Sequence, residues 1–139
     1  FKLPSAWWSG VRLQTISESE CVVTVKHMWI NQNPFRSMFW AVQGMAAEMT
    51  TGAFVTREIN LSGENISMLV SRNTANFTKK ATGTIRFICN DGQKVKKLIK
   101  KAVDTGKSQT MWIESKGYNE DNIIVSHFSF EWSIKKRTI

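Results

Sequence analysis

The residue whose type and surroundings best suit it to catalysis is Glu48, the only acidic residue between Gly44 and Thr56. Its neighbours are mostly Met and Ala, so its carboxylate is expected to lose hydration when the segment folds. Desolvation raises a carboxyl pKa towards the range useful for a general base, which predicts that Glu48 activates a water or attacks as a nucleophile. The alternative is a buried structural carboxylate that pairs with Arg57 or Lys79.

Polar groups on the N-terminal side of Glu48 are candidates for the rest of such a site. Gln43 lies five residues earlier, about 140° away around a helix, where it either orients a substrate carbonyl or bonds a backbone group. Asn33, before Pro34, either holds a water or fixes the shape of its loop. The unpaired backbone N–H groups at the start of the helix form a natural oxyanion site. The residues concerned are Phe39, Trp40 and Ala41.

Basic residues provide a third kind of candidate. The 139 residues include 19 Lys and Arg against 11 Asp and Glu, a net charge of +8. This surplus favours an acidic partner, and a phosphate-bearing ligand, nucleic acid and a membrane surface all fit the charge. The residues we single out as phosphate ligands are Arg72, Lys79 and Lys80, together with a lysine-rich helix, although a charged helix face is usually only solvated.

Several classes of site find no support. Cys21 and Cys89 lie far apart without a C-x-x-C pair or a histidine cluster, so we expect buried free thiols and neither a metal site nor a redox centre. The G-x-S-x-G, P-loop and G-x-G-x-x-G patterns are absent, which argues against a serine hydrolase and a nucleotide-hydrolysing enzyme. No apolar run approaches the roughly 18 residues of a membrane span, and no leader is apparent, so a cytoplasmic protein is the expectation.

The hydrophobic pattern predicts one α+β domain over residues 1–139. A first helix is expected over residues 37–56, with Ser37 as its N-cap. A second helix is expected to begin after Asp91 and to end at Gly106. Strands of an antiparallel sheet are expected at residues 11–16, 21–30, 66–71, 83–89, 110–114 and 122–136.

The two predicted helices differ in how apolar residues are distributed around the helix axis. The second has one apolar stripe and one lysine-rich face, as a surface helix does. The first has apolar residues on nearly every face and is therefore expected to be buried on all sides. A single sheet can bury such a helix only by curling around it, unless a second subunit covers it.

This arrangement resembles the hotdog fold of the acyl-CoA thioesterase superfamily, and the likeness spans residues 11–134. In its phenylacetate-degradation branch, Asn and five further residues precede His-Gly-Gly, and Asp or Glu stands nine positions after the His. Here Asn33 stands six positions before Phe39, and Glu48 stands nine after it. Asn76-Phe-Thr-Lys-Lys-Ala81, followed by Gly83, is similar to the branch's strand motif of an apolar residue, Arg, Pro, Ala and a nearby Gly.

The sequence also departs from that branch. Phe39-Trp40-Ala41 replaces His-Gly-Gly, which removes both the imidazole and the close backbone approach that glycine allows. Lys80 replaces the proline of the strand motif. The chain is thus closer to a Gln- and Glu-containing hotdog subfamily that lacks His-Gly-Gly.

The resemblance implies hydrolysis of acyl-CoA or acyl-carrier thioesters by a homodimer or a dimer of dimers, without a cofactor. It places Glu48, Gln43 and Asn33 in the catalytic site at a dimer interface. The alternative is a non-catalytic acyl-CoA or fatty-acid binding protein of the same fold, which the loss of His-Gly-Gly favours. Nucleic-acid binding is motivated by charge alone, and we expect neither nucleic acid nor a membrane as a partner.

Overall fold

Six antiparallel strands form one sheet in the order β1-β2-β4-β5-β6-β3, so β1 and β3 are its edges. The structure is a computed structural model that describes residues 3–137. The strands are β1 (Val11–Ile16), β2 (Cys21–Lys26), β3 (Ile66–Phe77), β4 (Thr84–Cys89), β5 (Gln109–Tyr118) and β6 (Ile124–Lys136). The helices are α1 (Pro4–Trp8), α2 (Trp40–Ser62) and α3 (Gly92–Thr105), with a 3₁₀ turn at Trp29–Asn31.

The sheet curls along α2, and its alternating strands supply the core between them. In β6, Phe128, Phe130, Trp132 and Ile134 are buried, whereas the residues between them are partly exposed, as the alternating pattern predicts. Residues of both edge strands line one groove beside α2, which shows how far the sheet curls. The α+β architecture, with a curved antiparallel sheet and a long central helix, is the one expected of a hotdog fold.

The N-terminus of α2 lies three residues later than predicted. Ser37 is not the N-cap, because its backbone N–H and hydroxyl bond the side chain of Asn33 in the preceding loop. Phe39 takes the N-cap position with extended backbone angles, φ −61° and ψ 137°. The helix continues to Ser62, six residues beyond the predicted end, and Gly63 closes it in the left-handed conformation, φ 70°.

The expectation that α2 is buried on all sides is wrong for the single chain. Ala46, Ala47, Phe54 and Val55 are fully buried against the sheet and α3. The opposite face remains open, and Glu48 is exposed on it. The sheet covers α2 on one side only, because the edge strands do not meet across the helix.

The predicted end of the second helix is confirmed. Gly106 closes α3 with φ 67°, and the apolar stripe of α3 packs against α2. Asp91 precedes the helix as expected, but its carboxylate accepts the backbone N–H of Glu114, at 3.0 Å, and does not cap α3. Helix α1 and the 3₁₀ turn were not predicted, and β3 extends six residues further than its pattern indicated.

Candidate functional site

The start of α2 opens onto a cavity of about 490 Å³, which we call the amide cavity. It lies between the loop before α2 and the loop after β3. Polar and basic side chains mix there with exposed aromatic rings. Its lining residues are Asn33, Phe35, Ser37, Met38, Trp40, Gln43, Phe77, Thr78, Lys79, Lys80 and Ala81.

Two backbone donors at the start of α2 are left without an acceptor. Met38 donates its N–H to the carbonyl of Ala81 at 2.8 Å, and Phe39 donates to that of Asn31 at 2.9 Å. Within residues 3–137, the N–H groups of Trp40 and Ala41 have no acceptor, and no side chain caps the helix. Of the three predicted oxyanion residues, Trp40 and Ala41 therefore keep a free donor and Phe39 does not.

Gln43 extends this polar surface into the cavity. Its side chain is only 4% exposed, and Nε2 donates to the carbonyl of Met38 at 3.4 Å. Its Oε1 is buried and has no donor among the residues described. The structure therefore shows the backbone bond, which is one of the two alternatives drawn from the sequence, and the unpaired end of the amide is an acceptor, which does not bond a substrate carbonyl oxygen.

Asn33 borders the same cavity, but its side chain is occupied by its own loop. Oδ1 accepts the N–H groups of Phe35, at 2.9 Å, and Ser37, at 3.2 Å. Nδ2 lies 3.1 Å from the hydroxyl of Ser37. This geometry is that of a residue that fixes the loop shape, the commoner of the two interpretations offered by the sequence.

The predicted phosphate-binding residues separate into two groups. Lys79 and Lys80 are exposed in the loop after β3 and line the amide cavity. Arg72 lies further back on β3, where Nε and Nη2 bond the carboxylate of Glu131 at 3.0 and 2.7 Å. These hydrogen bonds lower the pKa of Glu131. The structure does not bring Arg72 to the cavity.

A second cavity, of about 830 Å³, follows the open face of α2, and we call it the helix groove. One wall comes from α1 and the edge strand β1, and the other from β3 and β6. Its floor is fixed by Trp132, whose Nε1 donates to the hydroxyl of Thr51 at 2.9 Å. Apolar lining residues predominate, among them Leu13, Ile16, Met45, Met49, Met68 and Trp132.

Glu48 lines the helix groove and not the amide cavity. The prediction of a buried carboxylate needs correction, since Glu48 is exposed in the single chain. Partial desolvation by the surrounding protein nevertheless raises the pKa of Glu48. The acidic residue that is buried on α2 is Glu58, at 7% exposure, which the sequence pattern did not reveal.

Glu48 does not form the structural ion pair with Arg57 or Lys79 that was the alternative to a catalytic role. Arg57 donates to the carbonyl of Ser17 at 2.7 Å and lies 3.8 Å from the carboxylate of Glu58. Lys79 belongs to the other cavity. Across residues 3–137, no side chain forms an ion pair with Glu48.

The two halves of the predicted site are separate within one chain. Eight residues of helix place Glu48 about 12 Å further along the axis of α2 than Trp40. Trp40 lines one cavity and Glu48 lines the other. One chain alone does not bring the predicted base to the predicted oxyanion donors.

The two cysteines match their prediction. Cys21 and Cys89 stand opposite each other on β2 and β4, both free and fully buried. Burial raises the pKa of Cys21 to about 11 and that of Cys89 to about 12, so neither is a ready thiolate. Among the described residues, no group of three His, Cys, Asp or Glu side chains is placed to hold a metal ion.

Solved structures from several bacteria share this fold. A Pseudomonas aeruginosa protein named as a probable thioesterase has a TM-score of 0.81 at 20% identity, with 98% of this chain and 89% of that chain covered. A variant of a Staphylococcus aureus thioesterase has a TM-score of 0.72 at 14% identity, with coverages of 96% and 98%. A Haemophilus influenzae thioesterase has a TM-score of 0.71 at 12% identity, with coverages of 95% and 82%.

These similarities confirm that the chain has the hotdog fold found in proteins named as thioesterases. The finer likeness to one branch or subfamily stays a prediction. The family model described as Domain of unknown function (DUF4442) matches residues 1–134, so the chain belongs to that family. A comparison with curated proteins gave no match. None of the helices within residues 3–137 is long and apolar enough to cross a membrane.

Proposed function

We propose that this chain hydrolyses acyl thioesters such as acyl-CoA, as a single-domain subunit of a homodimer. The observation that carries the proposal is the pair of unpaired amides at Trp40 and Ala41 on the helix that also carries Glu48. Backbone donors aimed at a developing oxyanion and a carboxylate with a raised pKa are the two groups that this reaction needs.

Each group has one role in the proposed reaction. Glu48 takes a proton from water as the water oxygen bonds to the carbonyl carbon of the thioester. The carbonyl oxygen becomes negative and accepts hydrogen bonds from the amides of Trp40 and Ala41. The intermediate then collapses, the carbon–sulfur bond breaks, and the departing sulfur takes the proton from Glu48. The products are a carboxylic acid and a free thiol.

Supporting groups border the amide cavity. The unpaired Oε1 of Gln43 is suited to accept a hydrogen bond from a substrate amide or a water. Lys79 and Lys80 are suited to the phosphates of the carrier. We assign Asn33 to shaping the loop before α2. Arg72 has no part in this site because Glu131 holds it elsewhere.

The dimer is proposed because one chain leaves the site divided. In a two-fold pair, each Glu48 can approach the amides of the other copy, which gives two equivalent sites. Two features of the chain support such a pair. The edge strand β3 is twelve residues long and mostly exposed, and the open face of α2 is apolar.

The compartment is also a proposal. The two thiols are free although they stand opposite each other on neighbouring strands. Free, adjacent cysteines are typical of a reducing compartment, which supports the cytoplasm.

A thiol-release assay with a panel of acyl-CoA substrates tests the hydrolase. Hydrolysis by the purified protein that is lost in Glu48→Gln and retained in Glu64→Gln supports it, since Glu64 is a surface acid on the loop after α2. No thiol release from any substrate would contradict it.

The second candidate is a non-catalytic acyl-CoA or fatty-acid binding protein. The apolar helix groove favours it, as does the bulky Phe39-Trp40-Ala41 segment at the start of α2. A binder would retain acyl-CoA in calorimetry and protect the thioester from cleavage. The same thiol-release assay therefore separates the two candidates.

A further inference from the structure

Two short segments outside the candidate site display large apolar side chains to solvent. In α1, Trp8 is 72% exposed. In the 3₁₀ turn, Trp29 is 85% exposed and Ile30 is 56% exposed. We call Trp8, Trp29 and Ile30 the tryptophan tip. Neither cavity described above includes any of the three.

The tip is held in place by a buried side chain. Asn31 is 2% exposed, and its Nδ2 donates to the carbonyls of Ser9, at 2.9 Å, and Lys26, at 2.8 Å. Its Oδ1 accepts the backbone N–H of Met28 at 2.8 Å. One amide thus joins the end of α1 to the 3₁₀ turn, and the two segments present their aromatic residues from a fixed base.

Gly10 allows the two segments to approach closely. It has a φ of +86°, and a Cβ atom built on it would lie 2.7 Å from Cε of Met28. A larger residue at this position would strain the backbone and require the end of the Met28 side chain to move. The exposed apolar residues therefore stand on two segments that are bonded to each other and closely packed.

The chain segments that adjoin the tip are basic. Residues 26–40 and 77–86 are joined by backbone bonds from Met38 to Ala81 and from His27 to Gly83, and residues 3–12 are joined to them by the bond from Asn31 Nδ2 to the carbonyl of Ser9. None of the three segments contains Asp or Glu. Glu120 contacts the third of these segments, where its carboxylate accepts the N–H of Thr84. The bases of these segments are Arg12, Lys26, Arg36, Lys79, Lys80 and Arg86.

We propose that the tryptophan tip docks on the surface of an anionic phospholipid membrane. Tryptophan rings are suited to the boundary between headgroups and acyl chains, and an aliphatic side chain such as that of Ile30 gains by entering it. The surrounding bases complement the negative charge of the headgroups. This proposal differs from the sequence-based expectation of no membrane partner, because the sequence does not show which tryptophans are exposed.

The same charge would suit nucleic acid, but the tip does not. Single-stranded nucleic acid stacks its bases on aromatic faces along a basic groove. Here the tip includes Ile30, which offers no ring, and it is built on a tight turn. The membrane proposal is independent of thioester hydrolysis, because Trp8, Trp29 and Ile30 lie outside both cavities, as do Lys26 and Arg36.

Flotation with lipid vesicles tests the proposal on the whole chain. The probes are vesicles of phosphatidylcholine alone and of phosphatidylcholine with phosphatidylglycerol. We expect binding to the anionic vesicles only, reduced about tenfold or more by Trp29→Ser with Ile30→Ser. The matched control is Trp112→Ser, which removes an exposed tryptophan on β5. Circular dichroism melts establish that each variant folds.

A charge-matched pair tests the basic surroundings. Lys26→Gln with Arg36→Gln is expected to weaken binding to anionic vesicles more than tenfold, because each basic side chain contributes about fivefold to the affinity. The control is Lys97→Gln with Lys101→Gln, which removes the same charge from the exposed face of α3. The control is expected to change binding less than threefold.

Several outcomes would overturn the proposal. They are equal binding by the Trp29/Ile30 variant and the wild type, equal losses in the two charge variants, and no binding to anionic vesicles. Retention on single-stranded DNA at low salt without vesicle binding would also overturn it in favour of nucleic acid. None of these measurements uses a thioester, so their failure is distinct from failure of the proposed hydrolase.

Discussion

The amide cavity and the helix groove lie along the same helix, but they offer different chemistry. The amide cavity is lined by Trp40, whose N–H has no acceptor, by Gln43, whose amide oxygen is unpaired, and by two lysines. The helix groove is apolar and holds one acid with a raised pKa, Glu48. Stabilising an oxyanion and activating water are thus assigned to regions that one chain keeps apart. We therefore propose that a second copy completes the site.

The largest expected effect comes from removing the acid of the helix groove. Glu48→Gln should lower kcat for acyl-CoA hydrolysis by about 10²–10⁴-fold, because it removes the proposed general base. In the wild type, the rate should fall as pH drops through the raised pKa of Glu48, above the ordinary carboxyl value of 4.5. A pH–rate profile checks both points, and an unchanged rate in Glu48→Gln would remove the groove from the mechanism.

Stability serves as the control for that variant. The folded-state pKa of Glu48 is raised, so folding disfavours its charged form, and this cost is present above the folded pKa and absent below the unfolded one. Glu48→Gln should therefore unfold at the same or a higher temperature at neutral pH. A clear drop in melting temperature would show that any loss of activity reflects unfolding.

The next effect concerns the donors of the amide cavity. Trp40→Pro removes the free N–H at the first helical position, where proline fits the helix and Phe39 is already extended. Trp40→Ala is the matched control, because it removes the ring and keeps the N–H. We expect kcat to be about 10²–10³-fold lower in Trp40→Pro than in Trp40→Ala. Equal rates in the two variants would show that this donor has no role.

A smaller effect is expected from Gln43. Gln43→Met keeps the side-chain volume but removes the long bond to Met38 and the unpaired Oε1. The loss of one weak bond and of one unsatisfied acceptor should leave the free energy of unfolding within about 1 kcal/mol of the wild type. If Oε1 contacts substrate, kcat/KM should fall by roughly tenfold. A fall in stability without a fall in kcat/KM would make Gln43 structural.

The smallest effect separates the lysines from Arg72. Lys79→Gln and Lys80→Gln should each raise KM for acyl-CoA by roughly two- to fivefold, as expected for exposed charges. They should leave KM unchanged for an acyl-pantetheine that lacks the nucleotide phosphates. Arg72→Gln should change neither, since Arg72 bonds Glu131 away from both cavities. A larger change in KM from Arg72→Gln would reverse the assignment.

Elements whose pattern is local were predicted well. β1, the strand alternation of β6 and the end of α3 at Gly106 follow from two-residue periods and a glycine stop. The start of α2 was misplaced because Ser37 is a good N-cap by type, whereas Asn33, four residues away, holds it in a loop. A competing side-chain bond of this kind is not visible in residue propensities.

The sequence indicates candidate site residues but not how they are arranged in space. The sequence indicates Gln43, Glu48 and a helix N-terminus, and the structure places all three on or beside cavities. It does not indicate that one face of α2 stays open, since this depends on how far β1 and β3 curl. For the same reason Glu48 was expected to be buried, while the buried acid is Glu58.

We propose that the acid and the amides of one site come from two copies of the chain. Glu48→Gln and Trp40→Pro should each be nearly inactive alone, and mixing them after reversible dissociation tests the claim most directly. If the site is shared, half of the dimers are mixed and each contains one intact site, so activity should recover to about a quarter of the wild-type rate. No recovery, with mixed dimers shown to form by native mass spectrometry, would contradict the account.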